Sequence, residues 1–248
     1  MNLLKNILGR IFALWAFVVF TSSLLVIIIP VWITGFLEEP RKTAYSFTIF
    51  RAWMKFFFFF SGVRRVITGK ENFEKGETYV IVFNHRTFMD VPVSTVGIPG
   101  TNKTIAKVEI SRVPLFGLIY KRGSVLVDRK SEESRRLSYV KMKEVLQMGM
   151  HMAIYPEGTR NKTTEPLQRF HDGAFRLAAD SGKAIIPAVI IGTNDVMPTQ
   201  KTFFFWPRPV AIHFLPPIPV ENKTTQELKD EAFMVMKEAL IKADARYR

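Results

Sequence analysis

Two apolar blocks open the chain, and short apolar runs at regular intervals follow them. From Ile11 to Leu37 there are 27 residues without a charge, rich in Ile, Val, Leu, Phe and Trp. That exceeds the ~20 apolar residues a helix needs to cross a bilayer. Lys5 and Arg10 precede the block, and Glu38-Glu39-Pro40-Arg41-Lys42 ends it. A cleavable signal peptide would have a shorter apolar core and a small-residue cleavage site after it. The second block, Ser46 to Gly62, contains Phe56-Phe57-Phe58-Phe59-Phe60, but Arg51 and Lys55 interrupt it four residues apart, on one helical face. Ionised groups are costly at the bilayer centre, so this block predicts an interfacial helix. Its Phe rings would sit among acyl chains and its cations at the phosphate level.

Beyond residue 70 the pattern changes to short strands alternating with helices. Glu77 to Phe83, Lys103 to Val108, Ser124 to Val127, Met150 to Tyr155, Ala184 to Ile191 and Pro209 to Leu215 read as strands. Pro114 to Tyr120 predicts a short helix. Glu132 to Met148 predicts a longer one, with Ser131 as N-cap and Gly149 past its end. Gly173 to Ser181 stops at Gly182, and Thr225 to Ala243 opens with the capping box Thr224-x-x-Glu227. This alternation argues for an α/β fold, a mostly buried central sheet flanked by helices behind an N-terminal membrane-anchoring segment. The expected division is an anchor over residues 1–65 and an α/β domain over residues 66–248. Prolines 207, 209, 216, 217 and 219 bracket the last strand and predict an edge position for it.

Charge and composition narrow the partners. The 248 residues carry a formal net charge of +13, which points to an anionic partner such as nucleic acid, anionic lipid or a phosphorylated substrate. Arg64, Arg65 and Lys70 follow the apolar blocks, so the positive-inside tendency puts the bulk of the chain on the cytoplasmic side. Nothing resembles a nucleic-acid-reading module, a Gly-rich phosphate loop or a dinucleotide fingerprint, so no nucleic-acid partner is expected. Arg135, Arg136, Lys141 and Lys143 are most simply a solvated helix face. With no cysteine, disulfides, thiolate metal sites and thiol nucleophiles are excluded. The four histidines show no metal-ligand spacing. Three Asn-Lys-Thr tripeptides, at Asn102, Asn161 and Asn222, read as loop composition.

Two short motifs carry candidate chemistry. Asn84-His85-Arg86-Thr87-Phe88-Met89-Asp90 follows the strand ending at Phe83 and places a histidine five positions before an aspartate. An imidazole accepts a proton near neutral pH, and an adjacent carboxylate fixes its tautomer and stabilises the cation formed. Alone, the spacing is also that of a loop histidine satisfied by a neighbouring acid. Pro156-Glu157-Gly158-Thr159-Arg160 follows the strand ending at Tyr155. Glycine permits a tight backbone there, and arginine offers a bidentate grip on phosphate. A turn with a Glu157–Arg160 ion pair is the alternative.

Taken together and in this order, the motifs resemble the glycerolipid acyltransferase family, and within it the bacterial 1-acylglycerol-3-phosphate acyltransferases. Asn84 to Asp90 is similar to the family block N-H-x-[ST]-x-x-D, and Gly123-Ser124-Val125-Leu126-Val127-Asp128-Arg129 to G-x-x-F-I-D-R. Pro156 to Arg160 matches P-E-G-T-R, and Ile185-Ile186-Pro187-Ala188-Val189 is similar to the fourth block, an apolar strand with a central proline. Lys107 and the turn Pro114 to Gly117 fall where the family often has a lysine and P-x-F-G. The resemblance covers about residues 70 to 220.

It implies transfer of a fatty acyl group from acyl-CoA or acyl-carrier protein to the free hydroxyl of a lysophospholipid, giving phosphatidate. No other cofactor and no metal is implied. His85 is the expected base and Asp90 its orienter. Arg129, Glu157, Gly158, Thr159, Arg160 and Lys107 are the expected phosphate-binding set. Anionic membrane lipids are expected partners, and the expected location is a bacterial inner membrane with the catalytic domain on its cytoplasmic face. Arg86 departs from the glutamine common in phosphatidate-forming members and is a candidate for acceptor selectivity. It keeps open an N-acyl-ornithine or N-acyl-glycine lyso-lipid as acceptor. A non-catalytic, basic membrane-binding module is the rival of a different class.

Overall fold

The first apolar block folds as one long helix, α1 (Leu3–Ile33), in the computed structural model, which describes residues 3–247. One stripe of α1 is made of small or slender residues, among them Gly9, Ala13, Ala16, Val19 and Ser23, and is buried. The opposite stripe, with Leu14, Val18, Leu25, Val26 and Ile29, is apolar and exposed. Among the described residues one helix, Leu3–Phe36 with the short turn that follows α1, is long and apolar enough to cross a membrane.

The second block forms α2 (Arg41–Phe60), antiparallel to α1 and clasped to it by polar contacts. Trp53 Nε1 donates to Ser23 Oγ at 2.9 Å, and Trp15 Nε1 donates to the Phe60 carbonyl at 2.7 Å. The run of five phenylalanines divides by helical phase. Phe57 and Phe58 enter the core, whereas Phe56, Phe59 and Phe60 stay exposed. Three of the five expected rings therefore face outward, and burial of the other two stabilises the helix pair by about 2 kcal/mol each.

Seven strands among the described residues form one sheet: β1 (Arg65–Thr68), β2 (Val80–Phe83), β3 (Asn102–Lys107), β4 (Ser124–Val127), β5 (His151–Ile154), β6 (Ile185–Ile191) and β7 (Val210–Phe214). Their order is β1-β7-β6-β2-β5-β3-β4, parallel throughout except for the antiparallel β6–β7 pair. Residues alternate between faces, as the period of two demands. Ile81 and Phe83 of β2 share a core with α1, α2 and α3 (Asp90–Gly97). Val80 and Val82 meet α5 (Glu132–Gln147), α6 (Gly173–Ser181) and α8 (Thr225–Tyr247) on the other side. The first two helices therefore share a core with the sheet. The remaining helices are α4 (Phe116–Gly123) and α7 (Thr193–Val196).

The expected caps form. Ser131 Oγ accepts the Ser134 N–H at 3.1 Å, and Glu227 accepts the Thr224 N–H at 2.7 Å. Three expectations change. The last strand is not at the edge, because β1 pairs along its outer side and takes the edge position. The prolines flank β7 without interrupting its ladder. Strand β1 is absent from the expected set: four residues with alternating exposure give little periodicity to read. Asn102 begins β3 and so is not loop composition, whereas Asn161 lies in a loop as expected but is buried.

Candidate active site

Parallel strands β2, β3, β4, β5 and β6 end at the same edge of the sheet, so the segments that follow them converge there. In open α/β sheets this carboxyl edge is where ligands bind. His85 follows β2, Lys107 ends β3, Arg129 follows β4, Glu157 follows β5 and Thr193 follows β6.

Asn84 fixes the departure of the chain from β2. Its amide donates to the Ile190 carbonyl at 2.9 Å and accepts the Ile190 N–H at 2.7 Å, extending the sheet by a side chain. A tight turn then brings Asp90, the first residue of α3, back beneath the loop. Asp90 is fully buried and accepts four hydrogen bonds. Oδ2 takes the His85 Nδ1 proton at 2.8 Å, the Arg86 N–H at 2.6 Å and the Thr87 N–H at 2.8 Å. Oδ1 takes the Thr193 hydroxyl at 2.7 Å. A carboxylate so surrounded only accepts, which assigns the proton to His85 Nδ1 and leaves the lone pair on Nε2. The Tyr155 ring lies 4.5 Å from the His85 ring and fixes its plane. Burial, then the Asp90 charge, push the Tyr155 phenol far up, so it remains neutral, and its hydroxyl shares a hydrogen bond of 3.0 Å with the Ser94 hydroxyl.

The Pro156 to Arg160 segment braces this histidine through the backbone. Glu157 Oε1 accepts the His85 N–H at 2.7 Å, and Oε2 accepts the Gln168 N–H at 2.9 Å. Burial pushes the Glu157 carboxyl up, and those two backbone donors oppose the shift. The His85 carbonyl accepts the Asn161 N–H at 2.6 Å. Gly158 has φ +68°, and a Cβ there would lie 3.0 Å from the His171 ring, so a side chain would strain the turn. Arg129 donates to the Gly158 carbonyl, which ties the β4 and β5 loops together.

Arg160 stands with its guanidinium 3.8 Å from the centre of the exposed Phe88 ring, beside the histidine turn. Arg86 donates to the Thr163 carbonyl at 2.6 Å. The expected residues His85, Asp90, Arg86, Arg129, Glu157, Gly158 and Arg160 are thus linked in one cluster. Lys107 and Thr159 are exposed at the same edge and join none of these bonds. Thr193, Tyr155, Ser94 and Asn161 were not anticipated as parts of the site. The Asn-Lys-Thr pattern at Asn161 was visible, but its signal pointed elsewhere.

An apolar cavity of about 780 Å³ opens beside the turn at Thr87, Phe88 and Arg160. It runs between α1, α2 and α4, past Phe20, Phe50 and Gly123. Its size lies within the range of small-molecule and lipid sites.

The site thus sets a carboxylate-held histidine at the carboxyl edge of an α/β sheet, beside an apolar cavity. The chain belongs to the Acyltransferase family, whose model matches residues 64–191, and it is an acyltransferase. It is 27% identical over 198 residues to a 1-acyl-sn-glycerol-3-phosphate acyltransferase of Borreliella burgdorferi, covering 79% of this chain and 78% of the relative. A protein of the same name from Chlamydomonas reinhardtii is 30% identical over 171 residues, 67% of this chain and 50% of that one. The crystal structure of the 1-acyl-sn-glycerophosphate (LPA) acyltransferase PlsC from Thermotoga maritima matches the fold with a TM-score of 0.83 at 22% identity, over 98% of each chain.

Proposed function

We propose that the chain is a 1-acyl-sn-glycerol-3-phosphate acyltransferase that works at a membrane surface. The observation that carries the reading is the Asp90-held His85 beside an apolar cavity rimmed by Arg160. The names of the relatives support it. His85 Nε2 takes the proton of the acceptor hydroxyl as its oxygen attacks the thioester carbonyl. The carbon–sulfur bond breaks, the imidazolium returns its proton to the leaving thiolate, and the histidine is restored. Asp90 stabilises the imidazolium between those events. No covalent enzyme intermediate and no metal or further cofactor is needed, since acyl-CoA or acyl-carrier protein brings the activated acyl group.

The acyl chain lies in the cavity, which holds the thioester near His85 and lowers the entropic part of the barrier. Arg160, with Arg129 and Lys107 at the same edge, offers the positive field for the acceptor phosphate, while Glu157 braces the base. Residues 1–65 serve as the anchor. Because α1 packs along the sheet-bearing domain with its other stripe apolar, it lies in the interface of one leaflet, on the cytoplasmic side by the positive excess that follows it.

The test offers purified protein in vesicles either lysophosphatidate or an N-acyl-ornithine lyso-lipid, with acyl-CoA and acyl-carrier-protein thioesters in parallel, and identifies products by mass. Phosphatidate is the expected product. A preference for the amino-acid lipid would overturn the assignment. Arg86, the residue that raised that alternative, is engaged with the Thr163 carbonyl.

A further inference from the structure

A second cleft, of about 340 Å³, lies between α2, β1 and the turn after α3. Arg51, Lys55, Arg65 and Lys70 line it, with Ile67 and Ile98 among its apolar walls and no carboxylate. None of these residues lines the cavity beside His85. Among the described residues none of the four cations joins an ion pair. Arg51 Nε and Arg65 Nη1 are buried without a hydrogen-bond partner, an arrangement that costs stability unless an anion completes it.

Both guanidinium groups are held in place. Arg51 donates to the Ile98 carbonyl at 3.0 Å and to the Gly100 carbonyl, and Arg65 stacks 5.2 Å over the Phe58 ring. The cleft also adjoins the exposed apolar surface. Phe59 lies one helical turn beyond Lys55, Phe56 follows it directly, and both are exposed.

We propose that this cleft binds a phosphate group, supplied by the headgroup of an anionic membrane phospholipid whose acyl chains lie against α1 and the exposed phenylalanines. Two held guanidinium groups and the ammonium groups of Lys55 and Lys70 match the charge of a phosphate, and the neighbouring apolar surface matches what is attached to it. The site rests on reading α1 and α2 as membrane-facing, and it is independent of the acyl-transfer chemistry. Filling it orients the protein so that the cavity beside His85 faces the bilayer.

The experiment measures partition of the full chain onto phosphatidylcholine vesicles with and without a third phosphatidylglycerol. Arg65→Gln with Lys70→Gln removes two cleft cations, and Ile67→Trp fills the cleft at unchanged charge. Arg136→Gln with Lys141→Gln removes two exposed cations from α5 as control. A cation at an anionic surface contributes roughly a factor of five, so the cleft pair is expected to weaken binding to the anionic vesicles about 30-fold. Ile67→Trp should weaken it in the same direction, while the α5 pair and all phosphatidylcholine binding change little. Turnover of a soluble short-chain acceptor without vesicles stays unchanged in every variant, which separates this result from the catalytic reading. Equal losses in the cleft and α5 pairs, or wild-type binding by Ile67→Trp, would mean diffuse attraction and overturn the proposal. Vesicle-free binding of inorganic phosphate as tight as vesicle binding would overturn the lipid source.

Discussion

Glu157→Gln separates a brace from a binding group, because the two roles lead to opposite kinetics. Both carboxylate oxygens accept backbone N–H groups, from His85 at 2.7 Å and from Gln168 at 2.9 Å. Glutamine has almost the same shape but only one accepting oxygen. Its NH₂ must face one of the two N–H groups, donor against donor. The retained bond falls from charge-assisted to neutral, a loss of about 1 kcal/mol, and the unpaired buried donor costs about 2 kcal/mol more. For a chain of this size a loss of about 3 kcal/mol lowers the melting temperature by roughly 6–12 °C. The larger effect falls on catalysis. The lost anchor is the backbone of His85, the proposed base, and a displacement near 1 Å lowers the rate on the order of 100-fold. Thiol release from acyl-CoA, at varied lysophosphatidate, reads both constants. The expected result is kcat down about 100-fold with KM within about twofold. An unchanged kcat with KM raised tenfold or more would put Glu157 on the acceptor phosphate and refute the bracing account.

Other consequences are as direct. Arg160→Gln should raise the acceptor KM by about 10- to 100-fold, the worth of a charge-assisted bond, with Arg160→Lys partly restoring it; steady-state kinetics on lysophosphatidate decides. Gly123→Val adds bulk where a Cβ already meets the Phe50 ring at 3.3 Å, so donor competition should shift toward shorter acyl groups. Burial, then the Arg51 guanidinium, hold the His151 imidazole down to about 4, against 6.5 when free. The unfolded chain therefore binds the extra proton between those values. Stability is full above pH 6.5 and falls as pH drops toward 4, by roughly 3 kcal/mol from this group. Urea unfolding at several pH values, with the His151 ring followed by NMR, checks it; a midpoint near 6.5 would contradict the burial argument.

What the sequence revealed about the site was its local part. His85 and Asp90 are five residues apart on one turn, so their spacing in the chain already implies their contact. Thr193 donates to the same Asp90 from 103 positions away, and only the pairing of β2 with β6 brings it there. The Asn84 clamp on Ile190 depends on the same pairing. Tyr155 reads as the end of a strand, since nothing local marks an aromatic that packs against the His85 ring. The elements were legible where an apolar run was long or a cap was present, as in β6 and α8. They were not where pairing supplies the order: the four residues of β1 are a strand because β7, some 145 positions later, offers them a ladder. The same strand displaced β7 from the edge that its flanking prolines implied. The phenylalanine run announced a membrane-facing helix, but which rings turn inward depends on helical phase and on the α1 surface opposite.

His85 is the proposed base that activates a lipid hydroxyl. The most direct measurement is phosphatidate formation by purified His85→Ala in vesicles, with the wild-type protein beside it and vesicle binding measured on both. A loss of roughly 10³-fold or more in turnover is expected, with vesicle binding unchanged. Turnover within about tenfold of wild type would contradict it.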